Sequence, residues 1–386
     1  MKLLILAPEP FFRERGTPIA VRLVAETLGL RYKNDVELLC YGEGERVEIS
    51  NVLIRRTWTP AFLNNIHPGI SIKKIILDLL MFFNFLRLLF KHRQNQYTLI
   101  HAVEESVFFA LIVKVFFGLP YIYDMDSRLS TQLMCRWPWL KPFGTILTLM
   151  ESLAIRNSLA TIAVCKTLFD EAQSMGAKEI FLLSDVSLLE TEGATREHIS
   201  LKERCGIVRD TPLVLYVGNL EPYQGISLLL EAFKSCVDRG ASAHLAIIGG
   251  RKDHIKEYEN KCIEIGIKQY VHFLGPKPLS SLGAFLSQAD VLVSPRTSGN
   301  NTPMKIYSYL HAGKALVATS LETHTQVLNS EISKLVEATP DAFGQALFEV
   351  LSDAKLRSSL GEKARIFAEA HYTLPVFKKS LNSIYE

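Results

Sequence analysis

Short apolar runs recur along the chain, and most are followed by a polar or glycine-bearing loop and then by an apolar pattern at helical spacing. In the first half the runs Leu3–Leu6, Val36–Cys40, Leu99–Ala102, Tyr121–Tyr123, Thr161–Val164 and Ile180–Leu183 read as strands. Pro18–Leu30, Ser71–Arg93, Glu105–Phe117, Leu147–Leu159 and Lys166–Met175 read as helices between them. The period fades between Ser184 and Asp210, which marks a linker. It resumes with strands Leu213–Val217, His244–Ile248, Tyr270–Leu274, Val291–Val293 and Leu316–Ala318. Helices are expected at Leu228–Cys236, within Pro340–Tyr372 and at Phe377–Tyr385. Such alternation predicts an α/β fold with mainly parallel, doubly wound sheets and helices on both faces. The expected domains are 1–187 and 188–370, with a terminal helix over 371–386 returning to the first.

Asp290–Thr319 is the most informative stretch. The pattern gives a strand, a Ser298-Gly299-Asn300-Asn301 loop, and a helix capped by Thr302 with Pro303 at its first position. Gly313 ends the helix before the next strand. A helix mouth above the carboxyl end of a parallel strand attracts anions. Arg296 and Lys305 bring formal charge to the same place. Near the N-terminus, Gly16, Thr17 and Pro18 repeat the device, with Arg13 and Arg15 close by. Loops at Gly218–Gly225, at Gly249-Gly250 and after Leu274-Gly275 follow strands too, so all should gather on one sheet edge. An ordinary set of capped strand-to-helix turns is the plain alternative.

The residues Asp124 and Asp126 fall at a strand end, where carboxylates bind hydroxyls or take a proton; capping of the next helix by Asp126 or Ser127 is the plain alternative. Within Ser71–Arg93, Lys73, Asn84, Arg87 and Lys91 share a helical face, and the rest is mostly Ile, Leu, Phe and Met. Two readings stand: a crossover helix buried on the sheet, or an amphipathic helix resting on an anionic bilayer. Asp78 and Arg87 interrupt the run, so it is not expected to span a membrane.

Composition adds limits. Lys and Arg number 43 against 40 Asp and Glu, a balance without the footprint of a nucleic-acid binder. The six cysteines show no metal spacing and fit thiols of a reducing compartment. The opening MKLLILAPEP reads as a first strand rather than a signal peptide. The expected location is cytoplasmic, at the inner face of the membrane if the helix at 71–93 touches lipid.

One ordered set of motifs carries a resemblance across nearly the whole chain. It comprises RGTPIAV at Arg15–Val21, VGNLEPYQG at Val217–Gly225, IIGG at Ile247–Gly250, VHFLG at Val271–Gly275, and SPR…NTPMKIYSYL…GKALVAT ending at Thr319. Together they resemble the retaining glycosyltransferases of family four. The resemblance implies the GT-B fold, two Rossmann-like domains facing a central cleft, and a nucleotide-diphosphate sugar as co-substrate. It implies a saccharide or lipid-linked acceptor, and no metal or other cofactor. Carried over, Gly16 and Thr17 approach the donor phosphates and the Gly218–Gly225 loop faces the diphosphate. Gly249 lies by the nucleotide, Leu274 and Gly275 meet the base, and Gly299–Thr302 receive sugar hydroxyls and phosphate.

This chain departs from the family at several positions. An Arg and a Lys of the loop are here Asn219 and Gln224. Two glutamates are here Asn300 and Ser308, and a His is here Asp126. Lys305 and Arg296 are candidates to replace the missing positive charge, and Asp126 to orient or deprotonate the acceptor. The expected activity is sugar transfer with retention. A non-catalytic relative of the same fold remains a rival reading, as does a sugar-nucleotide epimerase.

Overall fold

The computed structural model describes residues 2–14, 16–66, 69–91, 97–190 and 200–386. The chain divides into two compact units, Met1–Ser184 with Lys378–Glu386, and Asp185–Phe377. The sequence boundary at 187/188 thus falls three residues late, and only the end of the expected terminal segment groups with the first unit. Arg15 and residues 92, 93 and 191–199, which belong to stretches discussed above, lie outside the described residues.

The first unit has a seven-stranded sheet in the order β3-β2-β1-β4-β5-β6-β7, parallel throughout. Its strands are β1 (Leu3–Ala7), β2 (Val36–Cys40), β3 (Val52–Arg56), β4 (Leu99–Val103), β5 (Tyr121–Met125), β6 (Thr161–Ala163) and β7 (Ile180–Leu182). Five strands are wholly buried and rich in Leu, Ile, Val and Tyr, as a sheet covered on both faces requires. The edge strand β3 was not expected. It is short and half-exposed, so its apolar pattern is weak. Helices α1 (Gly16–Tyr32), α2 (Ile72–Lys91), α3 (Ser106–Phe117), α4 (Leu129–Arg136), α5 (Gly144–Asn157) and α6 (Lys166–Ser174) make the connections.

In the second unit six parallel strands run in the order β10-β9-β8-β11-β12-β13. They are β8 (Leu213–Val217), β9 (His244–Ile248), β10 (Val271–Gly275), β11 (Val291–Ser294), β12 (Ala315–Thr319) and β13 (Lys334–Val336). The helices are α7 (Leu201–Arg204), α8 (Ile226–Asp238), α9 (Lys252–Glu264), α10 (Leu282–Leu286), α11 (Lys305–His311), α12 (Glu322–Thr325), α13 (Pro340–Ser352) and α14 (Ala354–His371), while α15 (Leu374–Ile384) starts in this unit and from Lys378 onward belongs to the first. Strand order reverses between β1 and β4 in one sheet and between β8 and β11 in the other. Each reversal opens a crevice at the carboxyl ends of its strands, the usual ligand position in such sheets.

Two caps expected from the sequence are absent. Thr17 lies inside α1, which already begins at Gly16. Helix α11 begins at Lys305, after an N-cap Met304 that makes no side-chain bond, so neither Thr302 nor Pro303 opens it. Asp126 and Ser127 do not cap α4 either. The buried Glu151 carboxylate does, accepting from Leu129 N at 2.8 Å. Helix α14 packs tightly on the turn that follows α11 because Gly361 has no side chain there: a Cβ on Gly361 would lie 2.3 Å from the Gly313 carbonyl oxygen. Gly361→Ala should therefore destabilise the chain by about 1–3 kcal/mol through overpacking, although alanine is normally the better helix former. Urea denaturation of the two proteins measures the difference.

Candidate functional site

The β8/β11 reversal point gathers most of the residues singled out in the second unit. Strand β8 delivers Gly218–Gly225, and β11 delivers Arg296–Met304 beside it. The glycines are fixed by close packing. A Cβ on Gly225, at φ 74°, would lie 1.9 Å from the Pro295 carbonyl oxygen. One on Gly249, at φ 110°, would lie 2.1 Å from the Gly218 carbonyl oxygen. Gly249 therefore allows two loops to touch, rather than leaving open space for a ligand. Along β10 the register with β9 skips Leu274 between Phe273 and Gly275. That bulge takes Leu274 out of the regular ladder at the strand's carboxyl end, a common arrangement beside binding sites.

Lys305 sits at the centre of this edge. Its Nζ donates to Gln224 Oε1 at 3.1 Å and lies 4.0 Å from the centroid of the Tyr216 ring. It would lie 3.2 Å from a Cβ on Gly218. The first residue of α11 thus sends its charge into the glycine loop after β8. Burial, and secondarily the Arg296 charge, push its pKa well below the ordinary 10.5. Arg296 is held by the Asn301 carbonyl at 2.7 Å and Thr323 Oγ1 at 2.6 Å, and stacks at 5.2 Å from the Tyr223 ring centroid. Burial lowers its pKa also. Neither cation forms an ion pair with a carboxylate among the described residues. Two buried polar atoms of the same loop, Thr302 Oγ1 and Arg296 Nε, have no hydrogen-bond partner there.

Other expected residues have different duties. Gln224 is buried and gives its carbonyl to Lys305 and to the Tyr216 hydroxyl, at 3.1 and 3.3 Å. Asn219 accepts from Glu221 N at 3.3 Å, and its own carbonyl accepts from the Tyr216 hydroxyl at 2.7 Å. Ser308 is fully buried and accepts from Leu188 N at 3.0 Å, so it braces the interior of the unit rather than facing a ligand. Gly299 and Asn300 are exposed on the loop. Asn301 holds Arg296 and Thr323 through its carbonyl. Thr323, which the sequence reading missed, is found only through this contact, because nothing in the short α12 stretch marks it.

Gly16, Thr17 and Asp126 belong to the first unit. Gly16 has open space around its Cβ position, so glycine is not demanded there by crowding. Arg13 pairs with Glu43 and is not a free cation. Asp126 follows β5 and is half-buried. The sheet edge beside it also carries Glu104, which directly follows β4 at the other reversal point, with φ 49° and a bond from Ser127 Oγ at 2.7 Å. Burial and then Glu105 raise its carboxyl to about 7. Three residues back along β4, His101 bridges Asp124 Oδ2 at 3.0 Å and the Tyr385 hydroxyl at 2.6 Å. His101 was missed because a buried polar side chain within an apolar run gives no periodic signal, and Glu104 because it follows that run in a half-buried turn.

Residues 199–367, most of the second unit, match the family described as glycosyl transferases group 1. The chain is 26% identical to a D-inositol 3-phosphate glycosyltransferase of Corynebacterium glutamicum over 187 residues, covering 47% of this chain and 44% of that protein. It is 27% identical to a phosphatidyl-myo-inositol mannosyltransferase of Mycolicibacterium smegmatis, covering 47% and 46%. The matched stretch thus spans about half the length of these relatives. Among solved structures, sucrose-phosphate synthase from Thermosynechococcus elongatus superposes with TM-score 0.77 at 17% identity, over 99% of this chain and 98% of that one. Anabaena HepE, solved with UDP, gives 0.75 at 16% identity, over 100% and 99%. The architecture is therefore GT-B.

Two predictions follow from the charges. An unpaired cation in a poorly hydrated site costs stability. Lys305→Met should raise the melting temperature of the ligand-free chain, by about 2–4 °C for each kcal/mol recovered in a domain of this size. Scanning calorimetry decides it. For Glu104, the folded pKa of about 7 lies above the ordinary 4.5, so the folded state keeps a proton that the unfolded state has lost. Its contribution to stability falls as pH rises through that window. Glu104→Gln should flatten the fall, and a melting curve parallel to wild type from pH 4.5 to pH 8 would contradict the assignment.

Proposed function

We propose that this chain is a glycosyltransferase that moves a sugar from a nucleoside-diphosphate donor to a hydroxyl acceptor, with retention at the anomeric carbon. The observation that carries the reading is the Lys305 ammonium, placed in the Gly218–Gly225 loop with Arg296 nearby and, among the described residues, no ion pair with a carboxylate for either. A diphosphate supplies the missing negative charge. Its oxygens also offer acceptors to Arg296 Nε and Thr302 Oγ1. The GT-B architecture and the family match over residues 199–367 support the same reading. The UDP bound in HepE supports a uridine donor as the first to test.

The chemistry follows from where charge develops. Breaking the sugar–phosphate bond concentrates negative charge on the departing diphosphate. Fixed cations that are already desolvated stabilise this charge more than the bound donor, and so lower the barrier. Lys305 and Arg296 take the part that loop cations play in the resembling family, from α11 and from the end of β11. Leu274, out of the regular ladder, is the candidate backbone contact for the base. In the first unit Asp126 remains the candidate to orient or deprotonate the acceptor. Glu104 joins it, since a carboxyl near 7 changes protonation at working pH.

A rival reading is favoured by Ser308. It stands where the family has a glutamate, and it is buried and used internally. A chain that binds UDP without turnover fits a non-catalytic relative of the fold. The experiment is a melting scan with UDP and UDP-sugars, followed by donor consumption with an acceptor extract. At a hundred times its dissociation constant, UDP should add about 2.7 kcal/mol of stability. Lys305→Met should abolish that gain, and in the active protein should lower turnover by about 10²–10³. No shift with any nucleoside diphosphate would overturn the proposal, and a shift without donor consumption would leave the rival.

A further inference from the structure

Helices α2, α3 and α5 lie side by side on one face of the first sheet. The connections from β3 to β4, β4 to β5 and β5 to β6 all advance in the same direction along it. Right-handed crossovers then put their helices on the same side. Contacts agree. The Phe82 and Phe109 rings are 5.0 Å apart and those of Phe90 and Phe117 5.6 Å apart, joining α2 to α3. Lys114 on α3 donates to the Asn157 carbonyl at the end of α5.

The inner faces of these helices pack on the sheet. Leu77, Met81 and Phe85 of α2 are fully buried, with Val107 and Val113 of α3 and Ile155 of α5. The outer faces should then be polar, and they are not. Fourteen apolar side chains of these three helices, among the described residues, expose between 40% and 75% of their surface. Phe83 exposes 65%, Val115 70%, Phe116 75% and Leu149 55%. A helix that is apolar all round belongs in an apolar surrounding. A patch this wide exceeds the few hundred Å² usual on a soluble monomer.

Charge selects the surrounding. The exposed charged side chains described on these helices are Lys73, Arg87 and Arg156, all basic. Arg136 and Lys141, also exposed, come just before α5. The two acids turn inward: Asp78 accepts from the Tyr41 hydroxyl, and Glu151 caps α4. No helix among the described residues is long and apolar enough to cross a membrane. Helices lying flat, with aromatic and aliphatic side chains outward and only cations beside them, match an anionic lipid interface. We propose that the outer face of α2, α3 and α5 docks on an anionic bilayer, with Phe83, Val115, Phe116 and Leu149 entering the acyl boundary and Lys73 and Arg87 meeting the headgroups.

Of the two sequence readings of 71–93, the helix fulfils the crossover reading with its inner stripe, and this proposal assigns the bilayer reading to its outer one. Asn84, on the same helical face as Lys73 and Arg87, is half-buried and donates to Thr57 Oγ1 at 3.4 Å. The Lys91 side chain lies outside the described residues.

The test is co-flotation of the full chain with vesicles of phosphatidylcholine and phosphatidylglycerol, against vesicles of phosphatidylcholine alone. The chain should float with the anionic vesicles and do so less at high salt. Phe116→Asp with Leu149→Asp should reduce the bound fraction at least tenfold. Lys73→Glu with Arg87→Glu should weaken binding by about fivefold or more for each lost cation. Melting temperature checks that each variant folds, and the charge pair carries the test if the apolar pair does not. The proposal is overturned if anionic vesicles leave the wild type behind, or if both variants bind as it does. It is overturned also if light scattering shows a dimer that Phe116→Asp dissolves, which would give the face to a second copy. The UDP shift, read on the same protein, reports separately on the donor site.

Discussion

A half-buried lysine ammonium that forms no ion pair among the described residues is the constraint from which the second unit is best understood. Lys305 has a carbonyl oxygen and an aromatic face for company, and these offset only part of the hydration it loses. Its depressed pKa expresses the remainder. The surrounding glycines make the position possible. Without Cβ atoms at Gly218, Gly225 and Gly249, the loops after β8, β9 and β11 close to within van der Waals contact, and Lys305 reaches into the first of them. Arg296 is set in place by the Asn301 carbonyl and the Thr323 hydroxyl, neither of which neutralises it. Charge of one sign is thereby concentrated at a strand-order reversal, where α/β sheets bind ligands.

The first unit has the same topology at its reversal point and the opposite chemistry. Glu104, Asp124 and Asp126 follow or end β4 and β5, and the fixed partners there are Ser127 and His101. The cations therefore gather at a strand-order reversal of one sheet and the carboxyls at that of the other. The apolar outer layer of α2, α3 and α5 is independent of both. It reflects helices whose inner faces pack on the sheet while their outer faces keep apolar side chains exposed.

Much of the architecture was legible because buried parallel strands read as unbroken apolar runs and the helices between them keep a helical period. β1, β2, β8 and β9 fall within a residue of their sequence limits. Where the reading failed, a tertiary contact overrode a local signal. Thr302 and Pro303 carry a helix-opening pattern, yet Arg296 pins the preceding carbonyl and the helix waits until Lys305. Thr17 carries it too, and α1 has already begun. Lys305 was visible as a formal charge beside an anion-binding loop. Its partner Gln224 was visible as a departure from a family pattern. Ser308 was misassigned, because the sequence cannot show that its hydroxyl is spent on the Leu188 amide. Glu104 was overlooked, since a left-handed backbone at a glutamate leaves no mark in composition or spacing.

The central claim is that Lys305 is a desolvated cation waiting for an anion. Calorimetric titration of UDP at alkaline pH, repeated in buffers of different ionisation enthalpy, measures it most directly. If the claim holds, the diphosphate restores the lysine charge, so the wild type takes up a proton on binding and Lys305→Met does not. Equal proton uptake by both proteins, or equal UDP affinity, would contradict it.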